Sequence, residues 1–309
     1  MAPLQPRFDR IVFETGLVRI GAFRCEPAHP SFHDTGPAEN YCFVFPRTAV
    51  EIQHEHESAF VANPKVVTFY NAGQRYGRDA ISPEGDHCDW FGVEPRLVRD
   101  AVKVFDPRVD DRAERPFLLT RGWACASTYL LQRNLFTQLA TREVFDALAV
   151  EETVVDLLDQ VIRSAYAPFS TMVPTEVSSR QRATVHDIET ILSVRPAEPA
   201  SLRGIADQVG LSAYHLCRLF RLVTGTKLHQ YRLCLRLRMA LREVLESARP
   251  LTDIALDAGF SSHSHFTSSF RREFGATPSW LRTVGPNKSL ISNFLIAPST
   301  RVGILVAGS

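Results

Sequence analysis

Two histidines stand two positions apart in this 309-residue sequence, in the segment Gln-His-Glu-His-Glu-Ser that begins at Gln53. On a β-strand, His54 and His56 would point to one face and could ligate a metal ion. Further candidate ligands are His29, His33 and His87. The segment is equally typical of a polar loop between strands, and its glutamates favour that interpretation. We therefore expect no metal and no cofactor, with an enzyme or a metal-sensing protein as the alternative class.

Thiol chemistry is the second possibility, because the chain has six cysteines. They are scattered without a Cys-x-x-Cys pair, at positions 25, 42, 88, 125, 217 and 234. The first four could form a redox switch, but buried structural thiols are the commoner case. The sequence also lacks a Walker loop, a dinucleotide-binding fingerprint, a nucleophile elbow and a His-Glu-x-x-His motif. These absences disfavour an enzyme, and the unpaired cysteines indicate a reduced, cytoplasmic protein.

Charge is divided unevenly along the chain. Residues 180–283 contain 15 lysines and arginines against 9 acidic residues, a net charge of +6, whereas the remainder contains 20 against 25, a net charge of −5. A basic module attached to an acidic body is typical of a protein that binds a polyanion. No run approaches the roughly 18 apolar residues that span a bilayer, and the N-terminus lacks the apolar core of a signal peptide. We therefore expect no membrane association.

Within the basic module one pattern occurs twice. Leu202–Ser212 matches Leu251–Ser261 at an offset of 49, and after one inserted residue His215–Gly225 matches His265–Gly275 at an offset of 50. In each copy an alanine permits close helix packing, a glycine suits the left-handed residue that ends a helix, and a serine caps the next helix. These residues are Ala206, Gly210 and Ser212 in the first copy, and Ala255, Gly259 and Ser261 or Ser262 in the second. The repeat therefore predicts two helix-turn-helix units.

Between the units, apolar residues at helical spacing predict a helix over about residues 228–247. They are Tyr231, Leu235, Ala240, Val244 and Leu245. At 1.5 Å per residue this helix would separate the units by roughly 30 Å, close to the roughly 34 Å pitch of DNA. Both second helices could then enter successive major-groove faces of one duplex. Double-stranded DNA is therefore the expected partner, and the aromatic stacking motifs of single-stranded RNA modules are missing.

The first part of the chain, from residue 8 to about 95, has the pattern of β-structure. Short β-branched and aromatic runs alternate with Pro, Gly and Asn. The runs begin at Arg10, Leu17, Tyr41 and Lys65. No helical segment separates them, so we expect an antiparallel barrel or sandwich rather than a parallel fold.

From about residue 125 the period of the apolar residues becomes helical. Leucines recur every four residues from Leu131 to Leu139, and a second stripe has the 4-3-4 spacing of two heptads. The second stripe consists of Val154, Leu158, Val161 and Ala165. We expect it to form a homodimer seam, the alternative being that both faces of this helix are intramolecular. Pro168 is expected to end the helix.

Residues 184–283 resemble the DNA-binding domain of the AraC/XylS family, the arabinose-regulator type. The resemblance rests on SLRGIADQVGLSAYHLCRLFRLVTG (201–225) and on PLTDIALDAGFSSHSHFTSSFRREFGATPSWLR (250–282), the more diagnostic stretch. In such proteins an N-terminal β-barrel of the cupin type commonly senses an effector and helps the protein to dimerise. The resemblance therefore implies an α+β protein: a cupin-like antiparallel β-barrel with C-terminal helices, then an all-α module of two helix-turn-helix units.

The resemblance also implies which side chains face DNA. In the second helix of the first unit these are Tyr214, Cys217 and Arg218, and in that of the second unit His263, Ser264, Thr267 and Ser268. Arg218 is expected to read a base, since its planar fork matches the acceptors of guanine. Phosphate contacts are expected from Arg221, Arg271 and Arg272. Each arginine could instead lie on a solvated helix face.

Four apolar residues of the same helices are expected in the core: Leu216, Phe220, Phe266 and Phe270. The sequence departs from the family pattern at two positions. Ser268 stands where the family usually has arginine, so the second unit would make fewer base contacts. Gly204 lies inside a predicted helix, where glycine costs up to about 1 kcal/mol relative to alanine.

These observations together predict a cytoplasmic, sequence-specific transcription regulator that is not an enzyme. Residues 1–166 would sense a small-molecule effector and dimerise, 167–182 would form a linker, and 183–283 would bind promoter DNA. RNA polymerase is an expected further partner. Residues 284–309 form a tail for which the sequence indicates no role.

Overall fold

The structure is a computed structural model that describes residues 9–33, 35–141, 147–171 and 177–284. Its strands are β1 (Asp9–Glu14), β2 (Val18–Cys25), β3 (Cys42–Pro46), β4 (Val50–His54), β5 (Phe60–Ala62), β6 (Val66–Tyr70), β7 (Tyr76–Ala80), β8 (Asp86–Val93) and β9 (Arg121–Trp123). Its helices are α1 (Pro95–Lys103), α2 (Ala126–Thr141), α3 (Ala147–Thr171), α4 (Ser179–Val194), α5 (Leu202–Gln208), α6 (Ala213–Thr224), α7 (Leu228–Glu246), α8 (Leu251–Asp257), α9 (His263–Phe274) and α10 (Pro278–Val284).

The strands form two antiparallel sheets. One has the order β1-β2-β8-β3-β6-β9 and the other the order β5-β4-β7. Apolar side chains of the two sheets meet in one core, for example Val44 and Tyr70 of the larger sheet with Ile52 and Phe60 of the smaller. The predicted antiparallel β-domain is therefore confirmed. It is open rather than a closed barrel, because no named strand pairing among the described residues joins one sheet to the other.

Residues on β8 alternate between two environments, as expected for a strand that is covered on both sides. Cys88 and Trp90 face the second sheet, whereas Phe91 stacks on Phe43 of β3 with ring centroids 5.1 Å apart, on the side covered by helices. Asp89 shares that covered side and is fully buried. A strand of mixed polarity is therefore stabilised by tertiary partners on both of its faces.

His54 and His56 do not share a strand face. β4 ends at His54, which is buried, and His56 lies in the following turn with a positive φ of 65° and an exposed side chain. The Nδ1 atom of His54 lies 3.0 Å from Nε2 of Gln74. Burial lowers the pKa of His54 to about 4, so its imidazole is neutral at physiological pH. The alternation that suggested a joint metal site is broken because the strand stops between the two histidines.

The stripe predicted as a dimer seam is covered by the chain itself. Val154, Leu158, Val161 and Ala165 of α3 are all buried in the core that α1, α2 and α3 form against the larger sheet. Gly122 of β9 approaches α3 so closely that an added Cβ would overlap the side chain of Ala165. The seam prediction was wrong for this stripe, since the chain's own sheet and helices cover it, although α3 also exposes an apolar residue, Val155, at 41%.

Pro168 does not end its helix, because the backbone of α3 continues to Thr171. The φ angle of proline is itself helical, so the ring disturbs the preceding turn without forbidding a further one. Residues 172–176 of the expected linker lie outside the described residues, and α4 begins at Ser179. No helix in the described ranges is both long enough and apolar enough to cross a membrane.

Candidate nucleic-acid interface

The first helix-turn-helix unit consists of α5 and α6. Ser201 begins α5 by accepting a hydrogen bond from the amide of Gly204 at 3.0 Å, so the unusual glycine lies in the first turn, where its amide reaches the cap. Gly210 adopts a positive φ of 65° in the turn. Ser212 then caps α6 by accepting from the amide of His215 at 3.3 Å. The predicted glycine turn and serine cap are both confirmed.

The second unit, α8 and α9, repeats this geometry. Gly259 has a φ of 78°, and Ser262 rather than Ser261 caps α9 by accepting from the amide of His265 at 3.2 Å. Each second helix ends at a left-handed glycine, Gly225 in the first unit and Gly275 in the second. The repeat in sequence is therefore a repeat in backbone conformation.

The second helix of each unit buries its apolar face and exposes the other. The four residues expected in the core are fully buried: Leu216, Phe220, Phe266 and Phe270. Of the residues expected to face DNA, those exposed to solvent are Cys217, Arg218, Arg221, His263, Ser264, Ser268, Arg271 and Arg272. Thr267 is half-buried, and Tyr214 has its backbone in α6 with its side chain outside the described residues. Within the described part of the chain, both polar faces are therefore open to solvent.

Ser268 hydrogen-bonds within its own helix. Its hydroxyl donates to the carbonyl oxygen of His265 at 3.1 Å. A serine that bonds to its own backbone turn has no proton left to donate outward. At this position α9 is therefore less equipped for hydrogen bonding than α6, which has Arg218 at the matching position of the repeat.

An open groove lies between the two units and was not predicted from the sequence. Arg218 and Arg221 of α6 line one side, and His265 of α9 lies across from them. The first half of α7 also lines it, with His229, Arg232 and Arg236, and Lys227 lines it just before this helix begins. The signal in the sequence was the four-residue spacing of Arg232 and Arg236, which places both on one helix face. Apolar residues line the same groove, among them Leu202, Ile205 and Leu233. Its basic groups carry the sign of charge that a phosphate backbone attracts.

Arg236 also fixes the two units relative to each other. Its guanidinium donates to the carbonyl oxygens of Pro196 at 2.6 Å and Ala197 at 2.9 Å, ahead of the first unit, and to that of Gly259 at 3.1 Å in the second. Gly259 packs against the same segment, because an added Cβ would overlap the carbonyl of Ala197. The spacing of the units is thus set by α7 together with these partly buried hydrogen bonds of Arg236.

The spacer helix α7 is also docked on the β-domain. Asn63 donates to the hydroxyl of Tyr231 at 2.6 Å, and Arg238 donates to the carbonyl oxygens of Pro64 at 2.5 Å and Ala124 at 2.7 Å. At the far end of α7, Glu246 pairs with Arg133 of α2. Contacts along the whole length of α7 therefore connect the β-domain to the element that spaces the two units.

A second candidate site is a cavity of about 250 Å³ between the two sheets. Burial raises the pKa of Cys42 to about 12, and also raises that of Tyr76, so both groups stay neutral. The buried charges beside them are paired, since Arg78 donates to Asp86 at 2.8 Å. Further lining residues are Thr68, Tyr70, Cys88 and Trp90. Three more exposed charged residues also line the cavity, Asp9, Arg19 and Glu39, of which Arg19 pairs with Glu39 at 3.7 Å. The buried part of the cavity therefore suits a small ligand without net charge.

Comparison with known proteins identifies the helical module. A helix-turn-helix domain profile matches residues 205–283. The chain is 34% identical to the transcriptional regulator Rob of Salmonella typhimurium over 123 residues, which are 40% of this chain and 41% of Rob. It is 40% identical to the regulatory protein SoxS of the same organism over 82 residues, 26% of this chain and 77% of SoxS.

Among solved structures, a transcriptional regulator with an AraC-type DNA-binding domain from Chromobacterium violaceum aligns with 36% of this chain and 99% of its own, at 30% identity and a TM-score of 0.33. The chain spans less than half of the length of Rob, so that match concerns one part of each protein. SoxS is covered over most of its length. On the similarity to SoxS and on the paired units described above, the chain belongs to the AraC/XylS family of regulators.

Proposed function

We propose that this chain is a sequence-specific DNA-binding transcription regulator that controls promoters in response to a small-molecule effector. The observation that carries the proposal is the pair of equally capped helices, α6 and α9, with uncovered polar faces and a basic groove between them. This is the geometry of two major-groove readers set on one spacer. The proposed action is binding rather than catalysis.

The proposed roles of the side chains follow from their chemistry. Arg218, near the middle of α6, reads a base through its planar fork, together with Tyr214 and Cys217. On α9 the proposed readers are His263, Ser264 and Thr267, and Ser268 also faces the duplex but offers it only acceptor lone pairs. Arg221, Arg271 and Arg272 hold phosphates, and the groove residue Lys227 adds a further phosphate contact between the units.

The test of DNA binding begins with mapping the chromosomal sites that the protein occupies. A fluorescein-labelled fragment from such a site is then titrated with the full chain and compared with a shuffled fragment of equal composition. We expect tighter binding to the site by at least about a thousandfold, and affinity that falls as salt rises. Equal affinity for both fragments would contradict sequence-specific regulation.

Arg218→Ala separates base reading from phosphate binding. We expect a loss of about 1–3 kcal/mol of binding free energy and relaxed preference at one base position. The measurement is the same titration against fragments with single base changes. Uniform weakening on all fragments, with a shallower salt dependence, would instead make Arg218 a phosphate contact.

We propose that the effector binds in the cavity between the two sheets and is small and without net charge. The charges of Arg78 and Asp86 neutralise each other there, and the surrounding thiols and phenols are neutral. Trp90 lines this cavity, so occupancy should change tryptophan fluorescence. Where the genes next to the mapped sites encode enzymes, the neutral compounds that these enzymes make or consume are the candidates to titrate. Substituting Tyr76 by Phe should weaken binding if the phenol contacts the ligand.

The assignment of roles to the three parts of the chain is also a proposal. Residues 1–166 sense the effector and dimerise, 167–182 link, and 183–283 bind DNA; residues 285–309 of the tail lie outside the described residues. Since the α3 stripe is covered, the homodimer must form elsewhere, and the edge strand β1 with its exposed Ile11 is the surface we favour. Light scattering should give twice the 34.7 kDa of the chain.

The remaining elements of the proposal are the compartment, the second partner and the absence of catalysis. A regulator of promoters acts where the chromosome is, which places this chain in the cytoplasm. RNA polymerase is the proposed second partner at the promoter, tested by transcription in a purified system. One equivalent of iron or zinc in the purified protein would revive the metal-sensing or enzyme alternative.

A further inference from the structure

A second open groove lies on the side of α6 that faces α4, away from the groove between the two units. Arg218 and Arg221 line both grooves, so the exposed face of α6 lies between them. The N-terminal part of α4 contributes Arg180, Gln181 and Thr184 to this second groove, and α6 also contributes His215. The apolar part of its wall consists of Leu211, Leu219 and Leu222. We call it the outer groove.

The charged groups of the outer groove all have the same sign. None of the described residues that line it is acidic. Arg180 is exposed, and no carboxylate of the described chain pairs with it. A single solvated arginine is ordinary on a helix surface, but here three guanidinium groups from two helices line one concave surface. A groove lined by charges of one sign concentrates their field, so this one attracts a polyanion such as the phosphate backbone of DNA.

The sequence repeat gives the outer groove a counterpart in the second unit. His215 of α6 and His265 of α9 occupy matching positions at the offset of 50. Each histidine lines a groove together with the N-terminal part of the helix that precedes its unit, which is α4 for the first unit and α7 for the second. That part supplies Arg180 in the first unit and His229 with Arg232 in the second. Both recognition helices therefore have a basic surface beside them at the same place.

We propose, on the basis of the proposed function, that Arg180 binds a backbone phosphate of DNA on the flank of the half-site that α6 reads. A helix in the major groove has a phosphate strand on either side of it, because the groove is only about 12 Å wide. Lys227 serves the strand next to the groove between the units, and Arg180 serves the strand next to the outer groove. The DNA-binding surface therefore begins within residues 167–182, the segment that the sequence predicted to be a linker.

Arg182 provides a matched control on the same helix. It is exposed, as Arg180 is, but it does not line the outer groove. Its spacing of four residues from His186 places both on one side of α4, and His186 contacts the β-domain through Glu51 at 2.6 Å. Loss of one positive charge has the same general effect on DNA binding at either arginine. A phosphate contact, in contrast, is lost only with Arg180.

The experiment is a titration of the fluorescein-labelled mapped site with the full chain at several salt concentrations. We expect Arg180→Gln to weaken binding by about three- to tenfold on every fragment without changing base preference, and to reduce the slope of log affinity against log salt by about one. Arg180→Lys retains the charge and should retain the slope. Arg182→Gln should leave the slope unchanged and the affinity within about twofold of the original chain. Circular dichroism checks the fold of each variant.

Shortened DNA fragments locate the contact. The labelled site is trimmed stepwise from each end, and the effect of Arg180→Gln should disappear on trimming at one end only, the end next to the half-site of α6. Equal effects of Arg180→Gln and Arg182→Gln on affinity and slope, with the original chain binding normally, would overturn this inference alone. An effect of Arg180→Gln that survives trimming at both ends would do the same. Failure of the original chain to prefer its mapped site would overturn the proposed function as well.

Discussion

The two helix-turn-helix units have the same backbone conformation but differ in the side chains of their polar faces and in the packing of their buried faces. Each has a left-handed glycine in the turn, a serine cap and a left-handed glycine at its end. The polar face of α6 carries Arg218 and Arg221, whereas the middle of α9 carries serine and threonine, with arginines only at its last turn. Equal scaffolds therefore present unequal chemistry to a duplex.

Their buried faces differ as well. Leu216 and Phe220 of the first unit lie in a separate core with α4 and the start of α7, against which Trp123 of β9 also packs. Phe266 and Phe270 of the second unit lie in the core that continues through α2 into the larger sheet. We therefore expect the first unit to be the better reader of bases, whereas the apolar core of the second unit is continuous with α2 and the larger sheet.

The substitutions with the largest expected effect test this difference in packing. Leu216 and Phe266 occupy matching positions of the repeat and are both fully buried. Phe266→Ala should cost about 3–5 kcal/mol of unfolding free energy, and Leu216→Ala about 2–5 kcal/mol. Hydrogen exchange should show lost protection in α2 as well as in α8 and α9 for Phe266→Ala, because that core is shared. Leu216→Ala should loosen α5 and α6 and leave α2 protected.

The comparison of Leu216→Ala with Phe266→Ala can also contradict the difference in packing. Both variants are compared at temperatures well below their melting points, so that global unfolding does not mask local opening. If Leu216→Ala exposes the amides of α2 as strongly as Phe266→Ala does, the two units are equally joined to the β-domain. The distinction drawn from the cores would then be wrong.

A second pair of substitutions tests the turns. Gly210 and Gly259 have nearly the same backbone conformation, with φ of 65° and 78°. Alanine in this conformation costs about 1–2 kcal/mol at either position. At Gly210 an added Cβ meets open space, whereas at Gly259 it overlaps the carbonyl of Ala197. Gly259→Ala should therefore lower the free energy of unfolding, measured in urea, clearly more than Gly210→Ala does. Equal losses of unfolding free energy would show that the segment at Ala197 moves away at little cost.

The features that sequence could predict are those encoded within a few neighbouring residues. The turn glycines, the cap at Ser212 and the buried positions such as Phe220 follow from local rules of helix ends and spacing. Strands β1, β2, β3 and β6 were found because their runs are dense in β-branched and aromatic residues. In each case the signal and the structure occupy the same short segment.

The features that were missed depend on partners distant in sequence. β8 lies in the region predicted as β, but the ion pairs of its buried Asp89 with Arg47 and Arg133 were not predicted, because both arginines are distant in sequence. The stripe of Val154 and its neighbours showed which face of α3 is apolar but not what covers it. Periodicity fixes the face of a helix, and only the tertiary fold decides whether a sheet or a second subunit lies against it.

The smallest expected effect sharpens the chemical difference between the units. Ser268 donates its hydroxyl proton to the carbonyl oxygen of His265, so it has only lone pairs to offer a base. Ser268→Ala should therefore change the free energy of binding to the mapped site by less than about 0.5 kcal/mol, the range of an ordinary surface substitution. The measurement is the fluorescence titration used for Arg218→Ala, performed in parallel at one salt concentration. A loss as large as that of Arg218→Ala would mean that the hydroxyl turns outward on DNA and that α9 reads bases as closely as α6.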